Sequence, residues 1–376
     1  MREGERGKAR RALATLRSLA DPRQVGFLIA FVTNRCNFRC AFCFYHAEIA
    51  KNRKPDELTV AEHEAIASKI GPLVQLSLTG GEPFLHGALA DIARAYVSRT
   101  GARYVTVPTN AWFTDRMVGF LEEILPAFGG TNFRLMFSID GIGDEHDTSR
   151  SQPGSWARIL ESYRAVSALR GRFTNLVLDA NTVYTARSEA SIVETLRTLD
   201  ATFRFDNLSI TYARGDIADP TLAARSREAY LAARAYLISR PRQRENRFLS
   251  SVWRAVDDVS HDHLVRTVFD DEHVHPCVAG RKLVVLGETG DVRPCEILER
   301  PMGNVRDYDY DLRALLDAAE NRRLVRWIEE SRCKCSFECA QAASVVWRAD
   351  AYPEVARAAI TNLVQIRASG GSRPPQ

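Results

Sequence analysis

The 376-residue chain has no stretch of about 18 uncharged apolar residues, so it offers no candidate transmembrane helix and no membrane partner is expected. It also lacks a secretory signal. Its start, MREGERGKARRALATLRSLA, is charged throughout and has neither an apolar core nor a small-residue cleavage site. An amphipathic surface helix over residues 1–24 is the simpler reading. No charge sign dominates: 51 Lys and Arg stand against 47 Asp and Glu, net +4, and the arginines are dispersed, so nucleic acid is not an expected partner. Cysteine is scarce and unevenly placed. Eight occur, as Cys36, Cys40 and Cys43, then Cys277, Cys295, Cys333, Cys335 and Cys339. Disulfide scaffolds are short and evenly laced with cysteine. Two separated clusters in a long chain without a secretion signal read as metal ligands in a cytoplasmic protein.

The length allows two domains, or one large barrel with an appendage. Residues 25–33, VGFLIAFVT, form an apolar, β-branched run that predicts a buried strand leading into the first cysteine loop. Thr59 and Glu62 form the ends of a capping box for a helix over 59–70. Strands follow at VQLSLTGGEP, YVTVPTNA, FRLMFSIDG, LVLDANTVY and LSITYARGD, with helices expected over 86–100, 114–126, 155–170 and 188–200. Strand and helix therefore alternate six times across 25–216, the pattern of a parallel α/β sheet. A closed barrel needs eight such units, so the expected fold is a partial (β/α)6 TIM-like barrel. In such folds working residues gather at the carboxyl ends of the strands. The cysteine loop, GGEP, TNA, SIDG, NTVY and YARGD all fall there.

Cys36, Cys40 and Cys43 are spaced C-x3-C-x2-C on one short loop. Three thiolates can hold three irons of a cubane and leave the fourth without a protein ligand; such an open position is what a reactive metal site needs. A zinc site completed by His46 is the competing reading. This loop, with Phe42 as its aromatic residue, resembles the signature of the radical S-adenosylmethionine (SAM) superfamily. The resemblance implies that SAM chelates the open iron of a [4Fe–4S] cluster and is cleaved reductively to a 5′-deoxyadenosyl radical. A flavodoxin- or ferredoxin-type electron donor is implied as a partner. Further motifs agree in chain order. Gly80, Gly81, Glu82 and Pro83 resemble the family GGEP turn at the SAM amino group. Thr109 and Asn110 resemble its TNG segment, with Ala111 in place of the glycine. Ser138 and Asp140 match the strand at the SAM ribose, and Asn181 resembles another SAM contact.

The second set also carries a resemblance. Cys277, Gly290 and Cys295 resemble the opening of the SPASM and twitch extensions, and the glycine fits a tight hairpin within residues 282–295. Five cysteines cannot supply eight ligands, so one auxiliary [4Fe–4S] cluster is expected. Cys277 and Cys295 are the firmer ligands. Cys335 and Cys339 resemble the end of a SPASM domain and would complete the set, with Cys333 as spare thiol or alternate; a zinc ribbon is the competing reading. The implied organisation is an N-terminal helix (1–24), a radical SAM partial barrel (25–216), a helical connector (217–276), a small cysteine-rich twitch/SPASM-like domain (277–340), and a C-terminal helix with a disordered tail (341–376).

Substrate contacts are expected after the sixth strand, at Tyr212, Arg214 and Asp216; Arg214 offers a fork for a carboxylate or phosphate, or a salt bridge at the rim. His46 and His86 lie near the SAM-site loops as acid–base or structural histidines; no catalytic acid or base is assigned. The Cys277–Cys295 gap resembles twitch-type aminocyclitol dehydrogenases, which implies an oxidative tailoring reaction on a small sugar-like molecule. Maturation of a ribosomally made peptide is the alternative, although only about 25 residues precede the first strand, too few for a leader-binding domain. A metal-stabilised binding protein without catalysis is a third reading, which the intact Cys36, Cys40, Cys43 and Glu82 argue against.

Overall fold

In the computed structural model, which describes residues 20–51, 56–240 and 247–369 together with Leu16 and Ser18, the apolar run at the start becomes β1, Phe27–Thr33, buried along its whole length. The expected helix over 1–24 and the expected disordered tail at 370–376 fall mostly outside the described residues. Five more strands follow: β2 (Gln75–Gly80), β3 (Tyr104–Thr109), β4 (Asn132–Ser138), β5 (Leu176–Tyr184) and β6 (Asn207–Tyr212). Each pairs in parallel with the next, giving the order β6-β5-β4-β3-β2-β1. This is a partial TIM-like barrel, with helices between the strands. The capping box forms as the sequence implies: Thr59 accepts from the Glu62 amide, and Glu62 accepts from the Thr59 amide at 2.7 Å.

The sheet does not stop at β1. The hairpin expected at 282–295 forms as β7 (Leu283–Leu286) and β8 (Asp291–Arg293), and β7 lies parallel against the free edge of β1, with Phe27 opposite Leu283 and Ala30 opposite Leu286. A short β9, Gly303–Asn304, completes a sheet of nine strands. Burying the β1 edge under β7 satisfies its backbone groups and removes a site for unwanted pairing.

The two faces of the sheet differ. Leu76, Leu78, Val105, Phe133, Leu135, Phe137, Leu208 and Ile210 pack under the helices in the main core. On the opposite face β1 presents Phe27, Ile29 and Phe31, covered by Val285, Phe337, Ala340 and Ala343. The last two belong to the helix Glu338–Trp347, so the C-terminal segment fills the barrel beside β1. Gly26 makes room for this: a Cβ there would lie 2.1 Å from the Trp347 ring. Further round, Ser77, Thr79, Ser138, Asn181, Ser209 and Thr211 alternate with the core residues and remain half-buried. Strands of a filled barrel would be apolar on both faces. A polar, half-open inner face marks the part of the barrel that can receive a ligand.

The connector contains helices Arg227–Ser239 and Arg247–Phe269. The single C-terminal helix expected within 341–376 is two, Glu338–Trp347 and Tyr352–Ser369, parted by a 3₁₀ turn at Ala349–Ala351. Pro353 explains the restart, since its missing N–H is tolerated only in a first turn.

Candidate functional site

The loop after β1 carries Cys36, Cys40 and Cys43, all half-buried and unpaired. Each thiol meets a group suited to a thiolate. The Phe38 amide points at Cys36 Sγ at 3.4 Å. The Tyr45 amide serves Cys43. The Arg150 guanidinium lies 4.0 Å from Cys40 Sγ. Burial nevertheless pushes the thiols up, Cys36 to about 12 and Cys43 to about 11, with Cys40 also raised. Thiolates in such a place need a bound cation to form. Among the described residues, no three or more His, Cys, Asp or Glu side chains converge on one point as a single metal ion requires. Tetrahedral zinc would bring its thiolates within about 4 Å of each other. A cubane takes each thiolate at a different corner, and the spread donor set here fits that group.

The glycine turn after β2 explains how the loop is held. The Gly81 amide donates to the Thr33 carbonyl and the Glu82 amide to the Arg35 carbonyl, both at 2.8 Å. A Cβ on Gly80 would meet the Thr33 carbonyl oxygen at 2.2 Å, and one on Gly81 would meet the Arg35 oxygen at 2.2 Å. The close approach that demands glycine is therefore to the cysteine loop itself. Glu82 is fully buried. Its carboxylate accepts from the Phe84 amide at 3.1 Å, the Thr109 hydroxyl at 2.9 Å and the Asn110 amide at 2.7 Å, tying the ends of β2 and β3 together. Burial pushes Glu82 up to about 7 against the pull of these donors. Asn110 in turn donates to Asn37 of the cysteine loop at 2.8 Å. Ala111, standing where the resemblance has glycine, keeps the left-handed backbone with φ of 58° and is buried.

Asp140 and Asn181 sit at the ends of β4 and in β5. Asp140 forms a buried ion pair with Arg150 at 2.5 Å, and its other oxygen accepts from the Val183 amide at 2.6 Å. Asn181 Oδ1 accepts from the Ser209 and Thr211 hydroxyls at 2.8 and 2.7 Å, so the NH2 end is its remaining hydrogen-bonding capacity. Ser138 pairs with Asn181 across β4 and β5. Phe42 packs with Ile217 and Leu222, and the Arg150 guanidinium lies 5.2 Å from its ring. Sequence reading missed Arg150. One arginine among so many carries no pattern, and only its burial against Asp140, Cys40 and Phe42 reveals it.

The other candidates are placed differently. Arg214 is half-buried and holds Glu296 through Nε at 3.1 Å and Nη2 at 2.6 Å, with Glu338 at 3.9 Å. Phe44 and Phe337 flank it at 4.8 and 4.9 Å. It is thus a tie between the cysteine loop and the C-terminal segment. Tyr212 turns its ring away into packing with Tyr184, Tyr230 and Phe269, and Asp216 is exposed. His46 Nδ1 contacts the Cys43 carbonyl at 3.0 Å, and His86 Nδ1 accepts from the Ala88 amide at 3.2 Å. Both thereby stabilise local turns. Tyr45, also missed, donates to buried Glu288 at 2.5 Å and so joins the cysteine loop to the β7–β8 turn.

The second cysteine set, Cys339 apart, surrounds a cleft that is partly open to solvent. Cys277, Cys295, Cys333 and Cys335 line it, with His273, His275 and Lys334. Cys277 accepts from the Ala279 amide at 3.5 Å and Cys295 from the Leu298 amide at 3.3 Å. The Phe337 amide serves Cys335. Cys339 is elsewhere: it stands in the first turn of the helix Glu338–Trp347 and faces Glu296, Arg214 and Glu338. Because β7 runs parallel to β1, Cys277 and Cys295 lie at the amino end of that pair and the first cysteine loop at the carboxyl end. Roughly 20 Å of strand separates the two ends.

The barrel is a radical SAM domain: residues 31–199 match the Radical SAM superfamily, whose members use SAM and a [4Fe–4S] cluster. Among curated relatives, GTP 3′,8-cyclase 1 of Mycobacterium tuberculosis is 28% identical over 193 residues, covering 49% of this chain and 51% of that protein. GTP 3′,8-cyclase of Haemophilus influenzae is 34% identical over 141 residues, covering 35% of this chain and 42% of that protein. The chain thus spans about half the length of the curated relatives it matches. Two solved structures share the fold. Native anSMEcpe with bound AdoMet superposes with a TM-score of 0.56 at 15% identity, over 92% of this chain and 100% of that one. Streptococcus suis SuiB bound to precursor peptide SuiA gives 0.56 at 16% identity, over 85% and 70%. No helix among the described residues is long and apolar enough to cross a membrane.

Proposed function

We propose that this chain is a two-cluster radical SAM enzyme that carries out an oxidative tailoring reaction on a small polar molecule of the aminocyclitol or sugar type. The observation that carries the reading is the constellation around the first loop: three half-buried thiols, Arg150 against Cys40, and the loop backbone hydrogen-bonded to the Gly81 and Glu82 amides. When bound, a reduced [4Fe–4S] cluster would supply one electron to SAM, whose sulfur–C5′ bond would break to give methionine and a 5′-deoxyadenosyl group able to take a hydrogen atom from substrate. The protein's part is to orient and to shield. Cys36, Cys40 and Cys43 hold three irons. Gly80 and Gly81 keep the turn close to them, and the Asn181 amide and the hydroxyls of Ser138, Ser209 and Thr211 offer neutral hydrogen bonds on the inner face. Neutral hydroxyl and amide groups suit a polyhydroxylated ligand better than a charged one. The helix Glu338–Trp347 already occupies the barrel beside β1, which favours a compact substrate.

The auxiliary cleft would hold a second cluster that takes the substrate electron onward, and a reduced flavodoxin or ferredoxin would serve the first site. A peptide substrate is the second reading, favoured by the shared fold with SuiB bound to its precursor peptide.

After anaerobic reconstitution and reduction, the protein should convert SAM to 5′-deoxyadenosine. Cys40→Ala should abolish that conversion, whereas Cys295→Ala should keep it and impair product formation. Equal cleavage by wild type and Cys40→Ala sinks the radical SAM reading. Deuterium transfer into 5′-deoxyadenosine from labelled aminocyclitols, compared with labelled peptides, decides between the substrates.

A further inference from the structure

We infer that the auxiliary cluster is ligated by Cys277, Cys295, Cys333 and Cys335, and that Cys339 is left out. The inference rests on the two-cluster reading and names which thiols serve it.

The chain geometry gives the first reason. Residues 333–335 run without helix or turn between the helix Ala319–Glu330 and the helix that begins at Glu338. Cys333 and Cys335 both reach the cleft that Cys277 and Cys295 line. Lys334 between them is held at the exposed rim by Asp271, at 2.6 Å. Before Cys339 the chain turns at Ser336 and buries Phe337, and this turn redirects the helix that follows.

Local hydrogen bonding supports the assignment. Cys277, Cys295 and Cys335 each receive a backbone amide from two or three residues further on. Such N–H···S bonds favour the charged sulfur over the thiol. Cys339 stands among Glu296, Arg214 and Glu338, whereas Cys333 has Cys277, Cys295 and Cys335 as its neighbours. The neighbours of Cys339 are those of the barrel side, since Arg214 also stands near Cys43. A cubane needs four thiolates at its corners, and the cleft supplies four without Cys339.

Three loci bear on the test, which uses full-length protein with Cys36, Cys40 and Cys43 all changed to alanine, so that only auxiliary iron is counted. After anaerobic reconstitution this background should carry about four irons and four sulfides per chain. Adding Cys339→Ala should leave that count unchanged. Adding Cys333→Ala should bring it to three irons or fewer and change the electron paramagnetic resonance signal of the reduced protein. Circular dichroism confirms folding, and Cys339→Ser or Cys333→Ser replaces an alanine variant that fails to fold. Loss of the cluster in the Cys339 variant overturns the inference, and so does its retention in the Cys333 variant. A background that takes up no iron also overturns it. No SAM enters these measurements, so their outcome is independent of whether the wild-type protein cleaves SAM.

Discussion

The buried pair Asp140–Arg150 gives a sharp quantitative test of how the cysteine loop is supported. Both residues are less than a tenth exposed, and their charges meet at 2.5 Å. Burial raises the Asp140 carboxyl, and the Arg150 charge opposes that shift. Arg150→Met keeps the length and apolar stem of the side chain and removes its charge. The carboxylate then stays buried with only the Val183 amide, and must either protonate or remain uncompensated. Breaking a buried pair from one side costs about 3–5 kcal/mol. Asp140→Asn should cost a similar amount, because it strands the guanidinium. The double variant Asp140→Asn/Arg150→Met removes both charges and should lie within about 2 kcal/mol of wild type. Anaerobic urea denaturation of the metal-free proteins, followed by tryptophan fluorescence, reads these differences as midpoint shifts at constant slope. Strictly additive costs in the double variant, or an Arg150→Met cost below about 1 kcal/mol, would show that the pair does not support the loop. In the loaded protein the same substitution removes a positive charge 4.0 Å from Cys40 Sγ. The more negative, reduced state loses the most by this, so the reduction potential of the site should fall.

Two further outcomes follow from the geometry. Gly81→Ala drives a Cβ to 2.2 Å from the Arg35 carbonyl oxygen, so iron bound at the first loop should drop to less than half of wild type; Gly87→Ala, with nothing within 4 Å of the added atom, should match wild type in the same iron assay. Arg306 holds Glu62 at 2.7 Å and is the main cause that depresses its carboxyl from 4.5 to about 2. The folded state therefore gains stability that is complete above about pH 4.5 and fades as pH falls toward 2. Arg306→Met should cost up to about 2 kcal/mol at neutral pH, allowing for partial solvent screening, and flatten the stability profile between pH 5 and 2. A variant profile parallel to wild type would refute the assignment.

Much of this site was legible because its signals are local. Spacing alone placed Cys36, Cys40 and Cys43 on one loop, and strand–helix alternation put that loop at the carboxyl end of a parallel sheet. The capping box at Thr59 and Glu62 and the hairpin around Gly290 are equally local and form as expected. What escaped depends on the tertiary path. Nothing in the string says that β7 adds to the edge of β1, because an apolar run of four residues pairs as readily with one strand as another. Arg150 and Tyr45 draw their roles from burial beside partners distant in sequence, Cys40 and Glu288. Arg214, read as a substrate fork or a rim salt bridge, forms the salt bridge, because Glu296 and Glu338 arrive from the C-terminal segment. Cys333 and Cys335 were visible as C-x-C, but that both reach the cleft lined by Cys277 and Cys295 depends on the tertiary path.

The two cysteine clusters differ in how much of their shape the protein alone provides. The first loop is hydrogen-bonded from several elements: by the turn after β2 through Gly81 and Glu82, and by the loop after β3 through Asn110. Arg150 meets it after β4, and the Asp219 amide reaches the Ala41 carbonyl at 2.8 Å beyond β6. Its three thiols are neighbours in sequence as well, so ordering them adds little loop-closure cost to cluster binding. The second cleft draws its thiols from both ends of a hairpin and from a segment almost forty residues further on, and it is ordered mainly by the packing of Phe337, Ala340 and Ala343 against β1. There the binding energy of a cluster would also be folding energy for the C-terminal segment. Arg214 connects the two sites, since it stands near Cys43 on one side and pairs with Glu296 and Glu338 on the other. A cluster held in the second cleft would secure the docking of the C-terminal segment, and with it the charged tie that braces the first loop.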